Sequence, residues 1–191
     1  MSDNPFLAEP VSSNDHSRGP NDASLIIVEY GDYQCPYCEA ANEVIDELLQ
    51  NFRESLLFVF RHLPVAETHL HAKKAAEVAE AVGLQGKFWQ IHDVLFDNQW
   101  QLDDDALVRY VTQVGADVDE VMAELGKGPQ RRVESDFGNA LRSGATTTPT
   151  FFVNGVRYDG SWEYEPFSRY LQEILDRQEM LGEEVAAPEN W

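Results

Sequence analysis

Cysteine and lysine are the scarcities that bound this sequence of 191 residues: it carries two cysteines and four lysines, Lys73, Lys74, Lys87 and Lys127. Two cysteines are too few for a disulfide-stapled scaffold. Only 14 basic residues face 34 acidic ones, for a formal charge of −20, which argues against nucleic acid or an anionic membrane as a partner. No apolar run approaches the length of a membrane span, and no internal repeat is visible. The polar start, Met1 to Asn21, lacks the basic residues and apolar core of a secretory leader. A cytoplasmic setting is therefore expected, with a periplasmic or other extracytoplasmic one left open should a leader have been removed. A Lys-poor acidic surface also suits concentrated salt, although a solvated acidic face is the simpler account. The chain length and the 43% hydrophobic content fit one globular domain.

What is present is concentrated in Glu29-Tyr30-Gly31-Asp32-Tyr33-Gln34-Cys35-Pro36-Tyr37-Cys38, which holds both cysteines two residues apart. Upstream, Leu25-Ile26-Ile27-Val28 is the unbroken apolar run of a buried parallel strand. Downstream, Ala40, Ala41, Val44, Ile45, Leu48, Leu49 and Phe52 recur at one-face helical spacing. Cys35 thus falls near a helix N-cap, Pro36 suits the first helical position, and Cys38 lies inside the first turn. A thiolate is the nucleophile in disulfide exchange, and a helix N-terminus stabilises the anion. Cys35 is expected to attack and Cys38 to resolve the mixed disulfide. A zinc site would need a second pair of ligands; no further cysteine exists, and His69-X-His71 has the wrong spacing. A purely structural disulfide across so short a loop would remove little unfolded-state entropy.

In chain order, residues 1–23 read as a disordered segment, followed by a strand Leu25 to Tyr30, the helix Pro36 to Phe52 and a second buried strand Leu56 to Phe60, together a βαβ unit. Thr68 to Ser143 fits four or five helices, with Asp103 and Asp117 as N-caps and Pro129 in a first turn. His69, His71 and His92 in this region read as structural or solvated, and Phe88, Trp89, Phe96 and Trp100 as core. Thr150 to Val153, Asn154-Gly155, and Val156 to Tyr158 predict a hairpin. A last helix begins near Pro166, and the segment 179–191 reads as a tail. Glu29 is an acid in an apolar strand. Either it sits at the strand end and reaches solvent, or it is buried and exchanges a proton with Cys38.

This order of parts resembles the DsbA-like family of thioredoxin-fold thiol-disulfide oxidoreductases, over about Leu25 to Leu175. The local phrases that carry the resemblance are Gly31 to Cys38, Gln85-Gly86-Lys87-Phe88-Trp89, and Thr148-Pro149-Thr150-Phe151-Phe152-Val153-Asn154-Gly155. The resemblance implies an α/β thioredoxin fold, residues 24–64 and 144–178, with an inserted helical subdomain, residues 65–143. It further implies that Pro149 is cis and faces the sulfurs, that Thr148 and Pro149 dock the substrate backbone, and that Glu29 relays the proton. No cofactor is expected. The expected partners are protein thiols and disulfides, with glutathione or a thioredoxin-type system for recycling, and the chain is expected to be a monomer or homodimer. The active-site dipeptide Pro36-Tyr37 is the glutaredoxin pair, whereas strongly oxidising DsbA enzymes carry Pro-His, so an intermediate potential is expected. A non-enzymatic redox-sensing module and a glutathione-dependent isomerase or transferase on the same scaffold remain as alternatives.

Overall fold

Two apolar strands joined through a helix pair in parallel, because a helical crossover brings the chain back to the end it started from. In the computed structural model, which describes residues 5–181, these are β2 (Leu25–Gly31) and β3 (Leu56–His62), linked by α1 (Pro36–Asn51). A short β1 (His16–Arg18) precedes them, and β4 (Thr150–Val153) and β5 (Val156–Tyr158) follow. The sheet order is β1-β3-β2-β4-β5, with β1, β4 and β5 each antiparallel to its neighbours. The β4–β5 turn is Asn154-Gly155 with φ of 47° and 79°, the positive pair that a two-residue hairpin turn of this kind requires.

Side-chain alternation divides the sheet into two faces. Leu25, Ile27, Leu56, Phe58, Phe60, Phe151 and Val153 point to the larger core, where Ala41, Ile45 and Leu48 of α1 and Phe167 and Leu171 of α7 (Tyr164–Leu181) meet them. Val28, Tyr30, Leu57, Val59 and Phe152 form the opposite face with Leu63, Ala140 and Ala145. Burying each such side chain contributes about 1.5–3 kcal/mol, so the register of β2 and β3 is fixed from both sides. Between β3 and β4 lie five helices: α2 (Ala72–Gly83), α3 (Phe88–Asp97), α4 (Asp104–Gln113), α5 (Val118–Glu124) and α6 (Gly128–Arg142). Asp103 and Asp117 cap α4 and α5 by accepting from the backbone N–H groups of Ala106 and Glu120. The fold is a thioredoxin fold with a helical insertion.

Three expectations need correction. Residues 5–23 are not a disordered segment: they form a strap that ends in β1. Leu7 N–H donates to Gly155 O at 2.8 Å, Arg157 N–H donates to Pro5 O at 2.7 Å, and Phe6 bridges Val156, so the strap runs along the outer edge of β5. Farther on, the buried Asp15 carboxylate pairs with Arg61 of β3 and Arg132 of α6. Charge pairing at long range, which a composition reading does not register, supplies the order. Trp100 is not core but 79% exposed, on the loop between α3 and α4. Residues Glu179 to Leu181 belong to α7 rather than to a tail; the rest of the expected tail, 182–191, lies outside the described residues, as does 1–4.

Candidate active site

The end of β2 hands over to α1 through Asp32, Tyr33 and Gln34, and this short loop is locked by side chains rather than by length. The buried Asp32 carboxylate accepts from the backbone N–H of Gln34 at 2.7 Å, the backbone N–H of Val65 at 2.7 Å and His69 Nδ1 at 2.8 Å. Gln34 Oε1 accepts from the backbone N–H of His71. The segment after β3 is thereby tied to the active-site loop, and its two histidines serve that junction. Tyr33 is fully buried, and its hydroxyl donates to His92 Nδ1 at 3.1 Å, while His92 Nε2 donates to Asn42 Oδ1 at 3.3 Å. Asp32, Gln34 and His69 were not expected to act together; the only sequence hint was Asp32's place beside the cysteines.

Cys35 is the N-cap of α1, with extended backbone (φ −79°, ψ 118°) and no side-chain cap. Pro36 opens the helix, and Cys38 N–H closes the first turn on Cys35 O at 3.0 Å. Both cysteines are free thiols. Cys35 keeps 4% of its surface and Cys38 none, so solvent and substrate reach the pair only through Cys35. Tyr37 is 65% exposed at the rim. The Thr148–Pro149 peptide bond is cis, and Thr148 O lies 3.4 Å from Cys35 Sγ. Thr148 therefore stands beside the Cys35 sulfur, and Pro149 follows it directly ahead of β4.

The two thiols are driven apart in acidity. The Cys38 thiol, donating to the Cys35 sulfur, lowers Cys35 to about 5 against the resistance of burial, helped by the Thr148 side chain and by the backbone N–H groups of Cys38 and Tyr37. Cys38 is pushed up, first by burial and then by the same hydrogen bond and the nearby Glu29. Glu29 is 1% exposed, so the solvent-reaching alternative does not hold. Burial raises it to about 8, the charge of Cys35 adds to the rise, and a hydrogen bond from Cys38 opposes it. The arrangement thus sets the more acidic sulfur at the helix start, the less acidic one fully buried behind it, and a buried acid in contact with the second.

Comparison with known proteins agrees with this geometry. A family model described as thioredoxin matches residues 12–173. The chain belongs to the thioredoxin family. Thioredoxin-fold oxidoreductases of the DsbA type share its architecture: BdbD from Bacillus subtilis superimposes with a TM-score of 0.78 at 21% identity, covering 91% of this chain and 99% of that one. A thioredoxin-like oxidoreductase from Silicibacter pomeroyi gives 0.76 at 23% identity, covering 94% and 99%. Among curated proteins, the Na(+)/H(+) antiporter NhaA 1 of Mycolicibacterium vanbaalenii is 39% identical over 170 residues, 87% of this chain but 28% of that protein. This thioredoxin-family chain spans about a quarter of the length of the curated relatives it matches.

A second polar group of titratable residues lies inside the fold. Glu80 of α2 accepts from His16 Nε2 and His62 Nε2, both at 2.9 Å, while Asp136 accepts from the backbone N–H of His62 and pairs with Arg132 at 3.3 Å. His62, Glu80 and Asp136 are close enough together to share a cation, but Glu80 Oε1 already receives two imidazole N–H groups and Arg132 already sits on Asp136. The group works as an internal ion-pair network that joins β1, β3, α2 and α6.

Proposed function

We propose that this chain is a protein dithiol-disulfide oxidoreductase acting through Cys35 and Cys38. The observation that carries the reading is geometric: a cysteine at the helix start, a second, fully buried cysteine one turn behind it, and a buried carboxyl with an unpaired oxygen beside the pair. In the reducing direction, the Cys35 thiolate attacks a substrate disulfide and one substrate thiolate leaves, giving a mixed disulfide on Cys35. Cys35 now carries no charge, so one cause of Glu29's high proton affinity is gone. Glu29 gives up the proton it held, which leaves with the first substrate thiolate, and the resulting carboxylate takes the Cys38 proton. The Cys38 thiolate then attacks the Cys35 sulfur, the second substrate thiolate leaves, and the enzyme disulfide holds the oxidation while the substrate has gained two electrons. The oxidising direction is the reverse, with Glu29 returning the proton to Cys38. Thr148 and Pro149 hold the substrate backbone beside Cys35, as an added extended segment.

Direction follows from potential. With Cys35 lowered to about 5, below the ~7 of thioredoxin and above the ~3.5 of DsbA, an intermediate potential near the glutaredoxin range of about −200 to −230 mV is expected. In a glutathione-buffered cytoplasm, the setting proposed here, such a protein is mostly reduced and serves as reductase or isomerase, recycled by glutathione or a thioredoxin-type system. Equilibration in graded glutathione buffers, with thiol trapping, measures this. A value as high as that of DsbA would make the protein an oxidase instead. Absence of turnover in an insulin-reduction assay would leave the redox-sensing module as the reading.

The curated relatives favour one substrate class in particular. Proteins named as Na(+)/H(+) antiporters carry the matching region as about a quarter of their length, which makes cysteines of a membrane transporter candidate substrates here. Mixed disulfides trapped on a Cys38→Ser variant and identified by mass spectrometry test this; transporter peptides support it, and soluble proteins alone reject it.

A further inference from the structure

Glu29 has an aromatic neighbour on either flank. In register it stands beside Phe60 of β3 and Phe151 of β4, and alternation places all three on the α1 face of the sheet. The next position on that face of β2 is Gly31, and the edge of the Phe60 ring fills the space a side chain would occupy there. A β-carbon on Gly31 would lie 2.4 Å from Phe60 Cε2, 2.9 Å from Phe60 Cζ and 3.0 Å from Glu29 Oε1. The glycine is therefore required by the close approach of the ring. Glu29 Oε1 is buried beside that ring edge with no hydrogen-bond partner.

The groups around this carboxyl explain why it stays unpaired. From α1, Cys35 and Cys38 act on it. From β3, the residue opposite Gly31 is His62, whose Nε2 donates to Glu80 of α2. From the active-site loop, Tyr33 spends its hydroxyl on His92 of α3, and β4 offers Phe151. A carboxylate needs donors to ionise in an apolar interior, and every donor within this frame is already engaged: the Cys38 thiol, which reaches Glu29, also donates to the Cys35 sulfur. Resting on the oxidoreductase reading above, we propose that Phe60, in the room left by Gly31, is a positioning residue: its ring denies Glu29 Oε1 a donor, keeps the acid neutral in the resting enzyme, and so sets the pH at which Cys38 becomes a nucleophile.

The test reads Cys38 attack directly. A mixed disulfide of Cys35 with a chromophoric aromatic thiol is formed on the full chain, and release of the coloured thiol is followed against pH in single turnover. Phe60→Leu opens the ring's volume, so that water can solvate Oε1; the midpoint of the profile is expected to fall by about one pH unit, tenfold in proton affinity. In a Glu29→Gln background the same substitution is expected to leave the profile where Glu29→Gln alone puts it. A merely structural role would lower the melting temperature in both backgrounds and leave the midpoint unmoved, and that result overturns the proposal. So does an equal shift with and without Glu29. The protonated-carboxyl C=O band in difference infrared spectra, assigned by its loss in Glu29→Gln, reports the same midpoint without any thiol chemistry. If the unaltered chain releases no thiol at any pH, the oxidoreductase reading fails while the infrared midpoint still decides the role of Phe60. Phe60→Met, whose unbranched side chain adapts to an irregular gap, is the reserve if Phe60→Leu does not fold, with the same expected direction.

Discussion

Glu29 and Glu80 are the same residue in the same interior, yet burial has opposite outcomes for them. Glu80 accepts from two imidazoles and is held well below the usual carboxylate range. Asp15, between Arg61 and Arg132, is likewise lowered. Glu29 has only a thiol for company and is raised to about 8. Desolvation acts on all three; what differs is the supply of donors. The partnered carboxylates join β1, β3, α2 and α6 into one body, and the unpartnered one sits behind the reactive sulfurs with a proton it can exchange.

The sharpest break in that contrast comes from the cysteines. Cys35→Ser is expected to abolish exchange to background, and Cys38→Ser to accumulate mixed disulfides; alkylation of Cys35 should be half-maximal near pH 5, as its value of about 5 requires, with Cys38 unreactive until far higher pH. Equal alkylation of both thiols would reverse the assignment. Next, Arg61→Met leaves Asp15 buried and undercompensated, a loss of about 3–5 kcal/mol in denaturant unfolding, while the Cys35 alkylation midpoint stays in place.

Glu29→Gln should act the other way. Between the ordinary glutamate value of 4.5 and about 8, the unfolded chain releases the Glu29 proton while the folded chain keeps it, so stability falls as pH rises through that window and levels above it. Removing the acid removes this slope, so the variant should gain on the wild type with rising pH, by at most about 1.4 kcal/mol per pH unit. Thiol release from the mixed disulfide should slow in the same variant. The smallest effect belongs to the helical insertion, where Asp103→Ala loses the α4 cap for about 0.5–2 kcal/mol and leaves exchange untouched.

The parts of this molecule that were readable beforehand are those governed by local rules. The apolar run before Glu29, proline after Cys35, and Asn154-Gly155 each state their geometry within a few residues. Two acidic N-caps, Asp103 and Asp117, are equally local. The strap was missed because its order comes from partners far away in sequence: Asp15 meets Arg61 and Arg132 only after the chain has folded. β3 is expected to end with the apolar run at Phe60, but it continues through Arg61 and His62; both are buried at 2% or less, each held by a carboxylate. At the active site, Glu29 announced itself as an acid in an apolar strand. Phe60 did not, since a phenylalanine in a core strand looks the same whether or not it faces a carboxyl.

The strap also bears on how the protein keeps company with itself. A sheet's outermost strand ordinarily presents free N–H and C=O groups on which a second molecule can template. Here Pro5 and Leu7 occupy the outer row of β5 through the bonds to Arg157 and Gly155. Trimming the chain to residue 12, where the thioredoxin family match begins, would strip that cover while leaving the sulfurs in place. Such a shortened protein should keep its redox chemistry yet self-associate with concentration in light scattering; a trimmed chain that stays monomeric would show that the cover by Pro5 and Leu7 does not guard the edge.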